Sequence, residues 1–204
     1  MPATNQLLGI FIFAMTLLSA APNTVNTSKN TLNFTIINKD KAIGTLKATK
    51  VVNGSKIHYQ SITTIKTRVI KEIEVDYKYD VVFEDNLLKK ASVIIGVDDK
   101  PYADIITNRT DQTYLITKNK KKESVIENAI HYATIVLYFK EPIGIDSCYS
   151  EQDGSFNTIV PLGNHVYKKI NAKKHENVYY YEGGYLQKAE IDGGLIKFEI
   201  VAEN

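Results

Sequence analysis

From Glu72 to Glu84 polar and apolar residues alternate with a period of two. Ile73, Val75, Tyr77, Tyr79, Val81 and Phe83 share one face; Glu74, Asp76, Lys78, Asp80 and Glu84 share the other. That period predicts a long strand with one buried face and one wet face. A second strand follows from Leu87 to Val97, with Ala91, Val93, Ile95 and Val97 on a single face. Both apolar faces use odd-numbered residues, so the hairpin has to pair odd with odd. A three-residue loop, Glu84-Asp85-Asn86, does this and sets Phe83 opposite Leu87, Tyr79 opposite Ala91 and Tyr77 opposite Val93. Such a loop needs a left-handed residue at its third position, which Asn tolerates and Gly prefers.

The phrase FEDNLLKKA, Phe83 to Ala91, returns as YEGGYLQKA, Tyr181 to Ala189. The same loop in the second copy places Gly184 at the third position and Tyr181 opposite Tyr185, with Val82 meeting Leu88 and Tyr180 meeting Leu186 on the outer faces. The repetition therefore reads as turn chemistry and cross-strand packing, not as a duplicated active loop.

Further strands are expected at Leu32 to Ile37, Ile43 to Val52, Lys56 to about Ile70, Tyr102 to Asn108 and Gln112 to Thr117, separated by turn residues such as Asn53-Gly54 and Asp98-Asp99. Short alternating runs continue to Leu195–Val201, where Ile196, Phe198 and Ile200 point inward. The total is roughly eleven strands in nearest-neighbour order. One segment departs from the period: Glu127 to Pro142 is apolar nearly all round between Ile130 and Phe139. Ser124-x-x-Glu127 matches a capping box and Pro142 a stop, so a short helix is expected there, and it has to be enclosed by protein. The fold class is mainly β, a long antiparallel meander curved into an open half-barrel around one short central helix.

Ahead of the first charged residue, Lys29, the run Leu7 to Leu18 is almost wholly apolar and is followed by Ser19-Ala20-Ala21. It is shorter than the roughly twenty residues a membrane-spanning helix needs. Residues 1–20 read as a signal peptide, 21–30 as a flexible segment and 31–202 as a single β-rich domain. An uncleaved anchor is the rival reading, because no Lys or Arg precedes the apolar run. The only cysteine, Cys148, cannot form an intramolecular disulfide. With a leader and no paired cysteines, a bacterial periplasmic or secreted protein is expected, with no stable membrane span after cleavage. Net charge is +2, with 25 basic and 23 acidic residues spread along the chain, which argues against a nucleic-acid footprint. The one charge block, Lys118 to Lys122, reads as a solvated turn.

LYFKEPIGIDSCYSEQDGSF, Leu137 to Phe156, resembles the LYFxEP signature of a family of uncharacterised exported bacterial proteins, a domain of unknown function. The resemblance spans Leu32 to Ile200 and implies a leader followed by one β-rich domain. It implies no catalytic residues. At the level of architecture the chain is also similar to the open half-barrels of periplasmic lipoprotein carriers, a likeness that does not fix function.

Candidate chemistry is sparse. His58, His131, His165 and His175 each stand alone, without HExxH or His-x-His spacing, so no metal site or cofactor is expected. Cys148 as a nucleophile would need a base, with His131 or His165 as candidates; a buried small hydrophobe is the simpler reading. Neither a nucleophile elbow nor a phosphate-binding Gly loop is present, and no catalytic residue is assigned. The 13 tyrosines carry more information. Tyr77, Tyr79, Tyr179, Tyr181 and Tyr185 are expected to face inward, and with Leu137 they form the candidate lining of a hollow for an apolar or lipid-like ligand. Three functions follow: an exported non-enzymatic binding protein, a cell-envelope protein-interaction module, or a hydrolase of unrecognised type. A sizeable hollow favours the first, a filled core with an exposed patch the second, and a His beside a carboxylate in a cleft the third.

Overall fold

The computed structural model describes residues 27–68, 72–192 and 197–203. The expected signal peptide lies outside them, as do Leu195 and Ile196 of the final strand. The first half of the chain forms β1 (Thr27–Asn38), β2 (Lys41–Asn53), β3 (Lys56–Arg68), β4 (Glu72–Glu84), β5 (Leu87–Val97), β6 (Lys100–Thr110), β7 (Thr113–Lys118) and β8 (Lys121–Ile126). The second half forms β9 (Ser147–Ser150), β10 (Ser155–Gly163), β11 (Val166–Ile170), β12 (Glu176–Glu182), β13 (Tyr185–Asp192) and β14 (Lys197–Ala202).

All belong to one open, 14-stranded antiparallel sheet in the order β8-β7-β6-β5-β4-β3-β2-β1-β14-β13-β12-β11-β10-β9. The meander is thus broken once. β1 pairs with β14 (Ile36 opposite Ile200), so the two terminal strands meet inside the sheet and its edges are β8 and β9. Between those edges the chain leaves the sheet and crosses the concave face as a strap.

Side chains, not ladder bonds, bring the far ends of the sheet together. The hydroxyls of Thr107 on β6 and Tyr149 on β9 lie 2.6 Å apart, and Tyr79 on β4 donates to Gln152 Oε1 at 3.1 Å. Gly154, in the turn after β9, packs so tightly on β7 that a Cβ there would lie 2.9 Å from Ile116 Cγ2. Its φ of +68° excludes most other residues on a second count.

The strap fills the space these contacts enclose. Ile130, Tyr132, Ala133, Ile135, Val136 and Leu137 are all buried, against Phe34, Ile36, Leu46, Tyr59, Val93, Tyr179 and Ile200 from the sheet. The expected helix is reduced to a single 3-10 turn, Thr134–Tyr138. Ser124 and Glu127 form no capping box: Ser124 is in β8 and both are exposed. The stretch before the turn stays extended because its backbone groups bond elsewhere. Leu88 N–H donates to Ile130 O at 2.9 Å, Tyr149 N–H donates to Tyr132 O at 2.9 Å, and Ile130 N–H donates to Tyr114 Oη at 3.3 Å. Bonds to groups distant in sequence hold these backbone groups in extended geometry, away from their helical partners.

The repeated hairpins differ from expectation by one residue. Their loops have two residues, Asp85-Asn86 (φ 53° and 59°) and Gly183-Gly184 (φ 57° and 83°), with left-handed backbone at both positions, as a type I′ turn requires. Glu84 is opposite Leu87 and Phe83 opposite Leu88; a bulge between Val82 and Phe83 then sets Val81 opposite Ala91, Tyr79 opposite Val93 and Tyr77 opposite Ile95. The bulge supplies the extra residue that the three-residue loop was expected to supply, so odd still meets odd beyond it. In the second copy Tyr181 faces Leu186, with the shift between Tyr180 and Tyr181. Leu88 and Leu186 are therefore core residues, not outer ones. Asn86→Gly is expected to leave the melting temperature unchanged or slightly higher. Asn86→Val is expected to lower stability by about 1–2 kcal/mol, since a β-branched residue adopts left-handed backbone only under strain. Thermal melts of the two variants check this.

Candidate ligand-binding site

The expected lining residues do not share one surface. Leu137, Tyr179 and Tyr181 are buried in the core, while Tyr77 and Tyr79 are partly covered. Tyr185 is 59% exposed, because the two-residue loop turns it away from the concave face and Leu186 toward it. Tyr181 instead braces the strap, donating to Leu137 O at 2.8 Å.

An open concavity lies where the strap leaves the core. It has a volume of about 440 Å³ and is walled by Glu141, Ile143 and the β10–β11 hairpin from Pro161 to Tyr167. Glu141 follows the 3-10 turn, and its side chain is covered by its immediate neighbours just beneath the surface. Its Oε1 accepts from Tyr167 Oη at 2.7 Å and from His165 Nδ1 at 2.9 Å. Since a carboxylate only accepts, Nδ1 carries the proton, and Nε2 of the exposed imidazole makes no hydrogen bond among the described residues. Oε2 receives no donor among the described residues. The Tyr167 hydroxyl, helped by His165, holds the Glu141 carboxyl below its ordinary range, and the same bond pushes Tyr167 up to about 12.

Local geometry places His165 there. Asn164 and His165 form the two-residue turn between β10 and β11 with φ of 49° and 60°, and His165 O accepts from Tyr181 N–H at 3.0 Å. A left-handed imidazole where Gly would be less strained is held by these bonds at both ends. Behind it, the rings of Tyr167 and Tyr181 meet edge-on at 5.8 Å, joining the cleft to the strap.

A second polar group is buried beneath the strap. Glu151 accepts Thr134 N–H on Oε2 at 3.1 Å and Ile135 N–H on Oε1 at 3.0 Å, and so caps the 3-10 turn that Ala133 cannot cap. Burial raises its carboxyl above the ordinary range despite these bonds and the nearby charge of Lys169. Lys169, also buried, donates to Thr134 Oγ1 at 3.2 Å. Cys148 adjoins this group, 4.0 Å from Thr134 Oγ1, and burial pushes its thiol up to about 12. A thiol that resists ionisation is a poor nucleophile, which agrees with the reading of Cys148 as a small core residue.

The other histidines serve the surface: His58 lies 3.1 Å from Asp80 and His175 3.4 Å from Asp192, while His131 Nδ1 is 2.9 Å from Asn86 O. Among the described residues no group of three metal-ligating side chains occurs. Also among them, no helix is long and apolar enough to cross a membrane. Glu141, Tyr167, Glu151 and Lys169 carry the polar chemistry, and residue spacing singled out none of them. Glu141 did leave a trace, as a carboxylate next to Pro142 at the end of a strongly apolar run.

One open antiparallel sheet, filled on its concave face by a strap and bearing a shallow cleft at the strap's exit, defines a mainly β class of domain. The chain belongs to the family described as Domain of unknown function (DUF6134), which it matches over residues 34–203. It is also similar to a solved structure from Brucella abortus, a beta-barrel-like protein of domain of unknown function DUF1849. That similarity is 12% identity over 88% of this chain and 96% of the other, with a TM-score of 0.39. No curated protein matches the chain.

Proposed function

We propose that the protein is an exported bacterial binding protein, without catalytic activity, whose ligand has an apolar body and a hydrogen-bonding head. The observation that carries this reading is the Glu141–His165–Tyr167 cluster set against the apolar wall of Ile143, Pro161 and Val166. A few fixed polar groups in an apolar concavity are what orients a small amphipathic molecule. Ile143, on the cleft wall, is 71% exposed, surface that a lipid-like body would cover. The interior is filled by the strap, so the seat is the cleft at its exit and not an interior hollow. The same filled core and exposed Ile143 also favour the alternative of a cell-envelope protein-interaction module. Export is supported by the apolar run before Lys29.

Native mass spectrometry of protein purified from its bacterial host tests the proposal. The wild type is expected to carry a bound mass that Ile143→Asp loses while its circular dichroism is unchanged. Ligand-free wild type, or an adduct that Ile143→Asp retains, would sink it.

One observation favours a third reading, a hydrolase. An imidazole oriented by a carboxylate, with its far nitrogen exposed, has the arrangement of a general base that activates water. A bound mass corresponding to a cleaved molecule, replaced by the intact one in Glu141→Gln, would support this reading over the first.

A further inference from the structure

The two edges of the sheet are not equivalent. β9 is masked by the strap: Tyr149 N–H donates to Tyr132 O, and Ala133 bridges Tyr149 in parallel. β8 is bare. Lys121 to Val125 are exposed on both faces, and among the described residues its backbone bonds run only to β7. A row of unpaired amides and carbonyls is a template for one more strand. Lys118, Lys120, Lys121 and Lys122 are all exposed along this edge and its turn, with no ion pair among the described residues. Glu123 is the one opposing charge within the strand. We propose that the β8 edge is a docking site for an extended acidic segment of another protein, which adds to the sheet as its outermost strand. Backbone pairing would supply the contact, and the lysines would select the partner.

The same lysines argue against a second copy of this chain as the occupant. A second copy pairing antiparallel with β8 in full register would set Lys121 opposite Ile126 and Lys122 opposite Val125 of the other strand, so no lysine gains a countercharge and two like-charged edges repel. An acidic segment turns that repulsion into attraction, with an affinity that falls as salt rises.

The test uses a synthetic ten-residue peptide alternating valine with glutamate, titrated into the full-length protein by fluorescence anisotropy. Binding is expected to weaken at least tenfold in Lys121→Glu/Lys122→Glu, and to vanish for a peptide carrying lysine in place of glutamate. N-methylating the peptide backbone at alternate residues is expected to abolish binding at one parity and spare it at the other, because one edge of a strand bonds at a time. Equal binding of both methylated peptides would show attraction by charge alone and overturn the proposal. So would failure of the unmodified peptide to bind, or sedimentation of the protein by itself as a dimer that Val125→Pro dissociates.

Discussion

Leu137→Asp is expected to leave the protein largely unfolded at room temperature. Leu137 sits in the 3-10 turn, fully buried, with the sheet curved around it. A carboxylate there loses its hydration without gaining a partner, at a cost of several kcal/mol. Domains of this size have only about 5–15 kcal/mol in total. Leu137→Met, which conserves volume, is expected to cost less than about 1.5 kcal/mol. Circular dichroism and urea unfolding of both variants check the pair. If the strap were a lid over an empty hollow, the aspartate variant would keep its strand signal and a cooperative transition.

Glu151→Ala is expected to destabilise by about 1–3 kcal/mol or more, because it leaves the buried amide of Ile135 without an acceptor and the half-buried amide of Thr134 with only water to turn to. It also strips the ammonium of Lys169 of its nearby countercharge. Glu151→Gln keeps one acceptor but turns an amide NH2 toward a second donor, so its loss should fall between wild type and Ala. The midpoint of urea unfolding orders the three proteins. An alanine variant as stable as wild type would mean that water or another group caps the turn.

Much of the sheet was legible because strand periodicity is a local property. β4 and β5 begin and end where the alternation does, at Glu72–Glu84 and Leu87–Val97. The hairpin registers were not, although odd-numbered residues do pair with odd beyond the bulge. Two devices satisfy odd-with-odd pairing, a three-residue loop or a two-residue loop with a bulge, and the short apolar phrase around Asp85-Asn86 fits both. The choice moved Leu88 and Leu186 into the core and Tyr185 out of it.

The strap forms a 3-10 turn in place of the expected helix for a related reason. All-round apolarity reports burial, and the strap is buried; it does not report which backbone partners are at hand. Leu88 and Tyr149, distant in sequence, take the carbonyls of Ile130 and Tyr132 and keep that stretch extended. The candidate site was the least legible part. Glu141, His165 and Tyr167 are separated by 24 and 26 residues in the bonds that join them, and no short motif encodes that approach.

What the sequence determined alone is the alternation that makes strands, the turn residues between them and the apolar segment that must be enclosed. These follow from side-chain period and backbone preference within a few residues. Tertiary structure decided that β1 meets β14, that β8 is left bare while β9 is masked, and that a carboxylate, an imidazole and a phenol share one cleft. Each of those depends on which of many possible strand neighbours bury the strap best. That is a property of the whole packed sheet, and no single segment carries it.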